Sequence, residues 1–177
     1  MGDSNAADRD EISKLVGDAT IAWTGIEHTW MLIFRFLLGA ENECADAVYF
    51  AVRNSSTQRS MVKALARVTL RDRPMLLDET KKLIKATNDK GGWRNAFIHG
   101  FYGYEVSWNE ANPEASMEVS ELMIIDSGPN HLGGKNLQAE LRRLIAEFRS
   151  HNHEIIALWH KMISTLSADR RRESGLE

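Results

Sequence analysis

Cysteine is nearly absent from this chain, with Cys44 the only one. One thiol excludes a disulfide scaffold and a four-cysteine zinc site, and it suits a reducing compartment in which Cys44 is simply a small hydrophobe. Proline is equally scarce, three residues beside twelve glycines, which excludes collagen-like and Pro-rich architectures. No charge sign dominates. The 22 basic and 25 acidic residues leave a formal net charge of -3, so tight non-specific nucleic-acid binding through bulk charge is disfavoured while a local positive site stays allowed. Long apolar runs are missing too: the most apolar stretch, Met31 to Leu38, holds Arg35 and is far shorter than the ~20 residues of a membrane span. The opening MGDSNAADRDE is acidic and polar, unlike a secretory leader, and Ala6 stands where a myristoylation pattern needs Ser or Thr. These readings predict a soluble, cytoplasmic protein with no membrane partner.

The 177 residues, 43% hydrophobic and 27% charged, suffice for one domain with a proper core. Ile12, Val16, Ala19, Trp23, Ile26, Trp30, Ile33 and Leu37 recur at spacings of three and four, the stripe of a long helix, and Gly39 supplies a left-handed stop. From Met31 on, this helix is apolar almost all round. A shorter helix over 41–53 carries Val48, Phe50, Ala51 and Val52. A third, capped by Ser55 or Ser56, carries Met61, Val62, Leu65 and Val68 and ends before Pro74. A fourth runs from about Met75 to Thr87. Asn88 to Gly92 then reads as a stop and restart, followed by a short segment from Trp93 to His99.

Beyond Gly100 the period changes. Tyr102, Tyr104, Val106 and Trp108 alternate with small or polar residues, as do Met117 and Val119, so a β-hairpin is expected over about 101–125. Ser127 to Asn136 is a Gly-rich connection whose Gly128-to-Lys135 stretch only imitates a phosphate loop. Leu137, Leu141, Leu144, Phe148, His151, Ile155, Leu158 and Met162 mark a last helix, with His151 expected as a core histidine bonded to a carbonyl. A solvated, frayed tail is expected over about 167–177, including Arg170, Arg171 and Arg172. The predicted fold is all-α, an up-and-down bundle of four or five helices with one inserted β-hairpin.

The segment Arg94-Asn95-Ala96-Phe97-Ile98-His99-Gly100 concentrates the chemistry. Asn95 and His99 are four apart and share a helix face, whereas Arg94 is offset from His99 by roughly 140° of helix rotation. A guanidinium matches phosphate oxygens and stays charged, an imidazole exchanges protons near neutrality, and a restarted helix N-terminus would add positive potential. If an RNA 2′-hydroxyl attacks its own neighbouring phosphate, positioning, proton transfer and charge stabilisation suffice, so no metal or other cofactor is expected. Lys90 and the hairpin aromatics Tyr102, Tyr104 and Trp108 could contact RNA, the aromatics by stacking on its bases; packing the hairpin onto the bundle is the other account of that aromatic stripe.

Arg-Asn, three residues and His, set in a small helical bundle, resembles the HEPN domain superfamily, and Gly100-Phe101 resembles a common continuation of its motif. The resemblance covers about residues 10–100 and 136–166. It implies a metal-independent endoribonuclease that works as a homodimer, with the motifs of two subunits forming one composite site, and a toxin or defence role with a protein inhibitor or antitoxin as partner. It also implies that Arg94 and His99 are catalytic and that Asn95 orients them. Some members place an acidic or polar residue on an early helix near the motif; Glu27, with His28 beside it, would then hold His99 in one tautomer. The alternative for Glu27 and His28 is a solvated polar face. A catalytically inactive module of the same fold, binding RNA, a nucleotide or a protein, is the other functional reading.

Overall fold

A computed structural model of the chain describes residues 2–99, 101–107, 118–126 and 136–173, with side chains at 9–99 and 136–167. The chain is helical in α1 (Gly2–Leu38), α2 (Asn42–Ala51), α3 (Ser55–Thr69), α4 (Pro74–His99) and α5 (Leu137–Glu173). Between α4 and α5 the backbone of β1 (Phe101–Ser107) pairs antiparallel with β2 (Glu118–Asp126), placing Tyr104 opposite Leu122 and Tyr102 opposite Ile124. The second strand includes Leu122 to Ile125, an unbroken apolar run with no period-2 alternation to reveal it. Gly100, Trp108, the connection Asn109 to Ala115, the Gly-rich stretch up to Lys135 and residues 174–177 lie outside the described residues. No helix among the described residues is long and apolar enough to cross a membrane.

The chain divides into two compact units, each assembled from distant parts of the sequence. The first comprises Met1–Ala22 and Lys90–Glu147, the second Trp23–Asp89 and Phe148–Glu177. In the first, Ile12, Leu15 and Ala19 of α1, Ala96 and Phe97 of α4, and Leu141 and Leu144 of α5 are buried. In the second, the α1 stripe continues through Ile26, Trp30, Ile33 and Leu37, and the α5 stripe through Ile155, Leu158 and Met162, all of them buried. Trp23 meets Phe148 edge-on with ring centroids 5.2 Å apart. Full burial of each large apolar side chain stabilises the fold by about 1.5–3 kcal/mol, so these stripes carry most of the helix–helix cohesion.

The apolar stretch Met31 to Leu38 is buried in part, and from within the chain. Met31, Ile33, Phe34 and Leu37 are covered within the chain, Phe34 against Tyr49 with centroids 5.1 Å apart. Leu32 and Phe36 stay half-buried and Leu38 is exposed. Arg35 forms a two-pronged ion pair with Asp46 that joins α1 to α2 and holds the Asp46 carboxyl below its usual range. Gly39 takes φ 67, the left-handed conformation that ends α1.

Three local readings are corrected. α2 turns Ala45 and Tyr49 inward and leaves Val48 and Phe50 exposed, because an all-apolar segment does not announce which face will be covered. α3 is capped by Asn54, whose side chain accepts from the Thr57 amide at 3.0 Å, one residue ahead of the predicted serines. α4 does not stop at Asn88: it runs unbroken through Gly91 and Gly92 to His99. Two helical glycines cost about 1 kcal/mol each relative to alanine. Tertiary contacts offset that cost: Lys90 pairs with Glu147 at 3.3 Å, the Arg143 guanidinium lies over the Trp93 ring at 5.5 Å, and Ala96 and Phe97 are buried. The last helix, α5, runs to Glu173.

Candidate functional site

Arg94, Asn95 and His99 sit in the closing turns of α4, within the first unit. Burial of Ala96 and Phe97 fixes the rotation of this segment and turns Asn95 and His99 to solvent, with Arg94 half-buried between the two environments. The Arg94 Nη1 donates to Asn95 Oδ1 at 3.1 Å, so the asparagine engages the arginine directly. Arg94 Nε is buried and has no hydrogen-bond partner among the described residues.

Helical continuity has two consequences for this cluster. Arg94 and His99 keep their angular offset of roughly 140° and are separated by about 7.5 Å along the axis, so only the long arginine side chain can bring the groups together. The expected restart of a helix is also absent. Both residues lie at the end where the aligned peptide dipoles are negative, which favours the cations themselves but adds no attraction for a phosphate. Any anion binding here rests on the side-chain charges alone.

The remaining predicted residues are placed as follows. Lys90 is held by Glu147, so its ammonium is already partnered. Tyr102 and Tyr104 lie on β1 by their backbone, and their side chains, like all of Trp108, are outside the described residues. Glu27 and His28 belong to the second unit. Glu27 accepts from Ser55 Oγ at 2.8 Å. With His28, Tyr49, Ser55 and others it lines a cleft of about 440 Å³ where α1 meets α2 and the start of α3. Arg59, within electrostatic reach of Glu27, is only 5% exposed, and its Nε donates to Asn88 Oδ1 at 2.7 Å. Burial pushes the Arg59 guanidinium down, and the negative charge of Glu27 works against that.

Sequence reasoning missed this cleft. One trace of it was readable: Thr24, Glu27, His28 and Met31 fall at offsets of three, four and seven, one stripe of α1. The residues completing it come from α2 and α3, and that pairing is invisible in local patterns. His151, expected in the core and bonded to a carbonyl, is buried and meets a hydroxyl, with Nε2 2.8 Å from Thr87 Oγ1, and its Nδ1 lies 3.4 Å from Glu154 Oε2.

Compared with known proteins, the chain matches no family model, no curated protein and no solved structure.

Proposed function

We propose that the protein is an endoribonuclease of the HEPN type, cleaving RNA by attack of the 2′-hydroxyl on the adjacent phosphate, with Arg94 and His99 as its catalytic pair and Asn95 positioning the guanidinium. The observation that carries this reading is the Arg94-Asn95-x-x-x-His99 cluster on the closing turns of α4. Its buried neighbours turn Asn95 and His99 outward, and Asn95 already grips the arginine. His99 takes the proton from the 2′-hydroxyl and a proton is delivered from the histidine side to the leaving 5′-oxygen, while Arg94 stabilises the charge that builds on the phosphate oxygens. The step forms a 2′,3′-cyclic phosphate and releases a 5′-hydroxyl, with no net change of charge state in the two side chains over the cycle.

A composite site from two copies of the chain answers the angular offset between Arg94 and His99. Across a two-fold axis, the arginine of one copy and the histidine of the other can face one phosphate, and both groups are doubled. The β1–β2 pair, which starts just past His99, would carry Tyr102 and Tyr104 to the RNA. Within this reading the protein acts in the cytoplasm as a toxin or defence component, and a cognate inhibitor binds over the site.

The test is RNA cleavage by the purified full chain in EDTA, with products analysed for cyclic phosphate ends, alongside Arg94→Ala and His99→Ala. Cleavage lost in both variants supports the proposal. Intact RNA with the folded native chain, or equal cleavage by the variants, overturns it. Intact RNA combined with retained RNA binding points to the inactive binding module, a reading favoured by the absence of helix-dipole assistance at the cluster.

A further inference from the structure

The cleft of the second unit plays no part in the proposed cleavage, and its lining has a pattern of its own. One wall is the α1 stripe that includes Glu27, His28 and Met31; the facing side includes Phe50, Arg53 and Ser55. We infer that this cleft binds a small organic anion with an apolar body, the anionic group at Arg53 and His28 and the body against Phe50 and Met31.

Charge accounts for the sign of the ligand. The carboxylate of Glu27 is the one acidic group among the lining residues, and it is answered from inside the fold: Ser55 Oγ donates to it at 2.8 Å, and the buried Arg59 guanidinium lies within its electrostatic reach. Arg53 and His28 are exposed, and neither makes a hydrogen bond or ion pair among the described residues. The uncompensated charge at the cleft is therefore the Arg53 guanidinium, a group that stays protonated and matches planar or tetrahedral oxyanions.

Shape accounts for the apolar body. Phe50 is 60% exposed at the end of α2, while Met31 on the opposite wall is buried. Phe50 stands perpendicular to Tyr49 with centroids 5.5 Å apart, so its ring is held rather than adrift. The cleft, about 440 Å³ in volume, falls in the range of small-molecule sites. The segment carrying Arg53 is braced as well. Gln58 Nε2 donates to the carbonyls of Tyr49 at 3.1 Å and Val52 at 2.7 Å, tying the α2–α3 connection to α3. A ring held in place and a cation on a braced connection are the parts of a preorganised site.

The experiment is an NMR titration of the full chain with three probes that share one ring: 3-phenylpropionate, phenyl phosphate and 3-phenylpropylamine. Saturable binding of at least one anion, with none of the amine, supports the assignment, and the tighter anion identifies carboxylate or phosphate ester as the ligand class. Arg53→Gln and Phe50→Ala, both at exposed positions and checked for folding by circular dichroism, should each weaken that binding by about tenfold. Binding of the amine as tightly as the anions, binding unaffected by Arg53→Gln, or no binding of any probe overturns the inference. RNA is absent from every arm, so failure here leaves the nuclease reading where it stood.

Discussion

Thr87 Oγ1 stands 2.8 Å from His151 Nε2 and 3.0 Å from Trp30 Nε1, so one hydroxyl on α4 joins α1 to α5 in the core of the second unit. The Leu83 carbonyl lies 2.9 Å from the same oxygen. The oxygen accepts from the indole N–H and keeps a second lone pair beside its proton for its other neighbours. Thr87→Val keeps the shape and removes the acceptor. It should destabilise the chain by about 2 kcal/mol, whereas Thr87→Ser, which keeps the oxygen, should cost about half as much. Urea unfolding of the two variants checks the difference; equal midpoints would refute the hydroxyl's role.

Tyr49 is buried beside Phe34 and Phe50, and desolvation pushes its phenol up to about 12. The folded state thus holds the proton more tightly than the unfolded chain, whose tyrosines ionise near ~10. Stability linked to Tyr49 is fully present below that value and falls as pH rises through the window from 10 to 12, by roughly 2 kcal/mol. A phenolate absorbance titration should show a late-ionising tyrosine, and Tyr49→Phe should remove this alkaline loss of stability.

Exposure separates chemistry from folding at the α4 terminus. Asn95 and His99 face solvent, so Asn95→Ala and His99→Ala should change stability by no more than about 0.5 kcal/mol. On the proposed function, His99→Ala should lower RNA cleavage by about 10²–10⁴. A His99 variant that unfolds at lower denaturant by several kcal/mol would show that the residue is structural.

Two glycines of α1 have opposite surroundings. A Cβ at Gly17 meets nothing within 4 Å, so Gly17→Ala should stabilise α1 by about 0.5–1 kcal/mol. A Cβ at Gly25 would come within 3.1 Å of Asn152 Nδ2, and Asn152 Oδ1 accepts from Thr29 Oγ1 at 2.8 Å. Gly25→Ala should therefore gain less than Gly17→Ala, or nothing. Thermal melts of the pair give the ranking.

The long helices were legible because burial imposed a strict period on them. Every residue of the α5 stripe from Leu137 to Met162 is buried, and Gly39 ends α1 as its position suggests. Local signals failed where distant contacts outweighed them. Gly91 and Gly92 read as a break, yet Glu147 and Arg143, some fifty residues on, hold the helix across it. Val48 and Phe50 read as core, but the face of α2 that packs is fixed by Phe34 and Arg35. The motif Arg94 to His99 was visible as residue types at a spacing. Its surroundings were not, since the dipole at its helix end follows from α4 being continuous.

The glycine pair inside α4 also bears on how the segment beyond it behaves over time. Side chains of α5 reach this segment at two points, Glu147 to Lys90 and Arg143 over Trp93, and losing those latches should raise amide exchange there. Deuterium uptake along α4 would accordingly step upward in an Arg143→Ala or Glu147→Ala variant, at the stretch that bears Arg94 and His99.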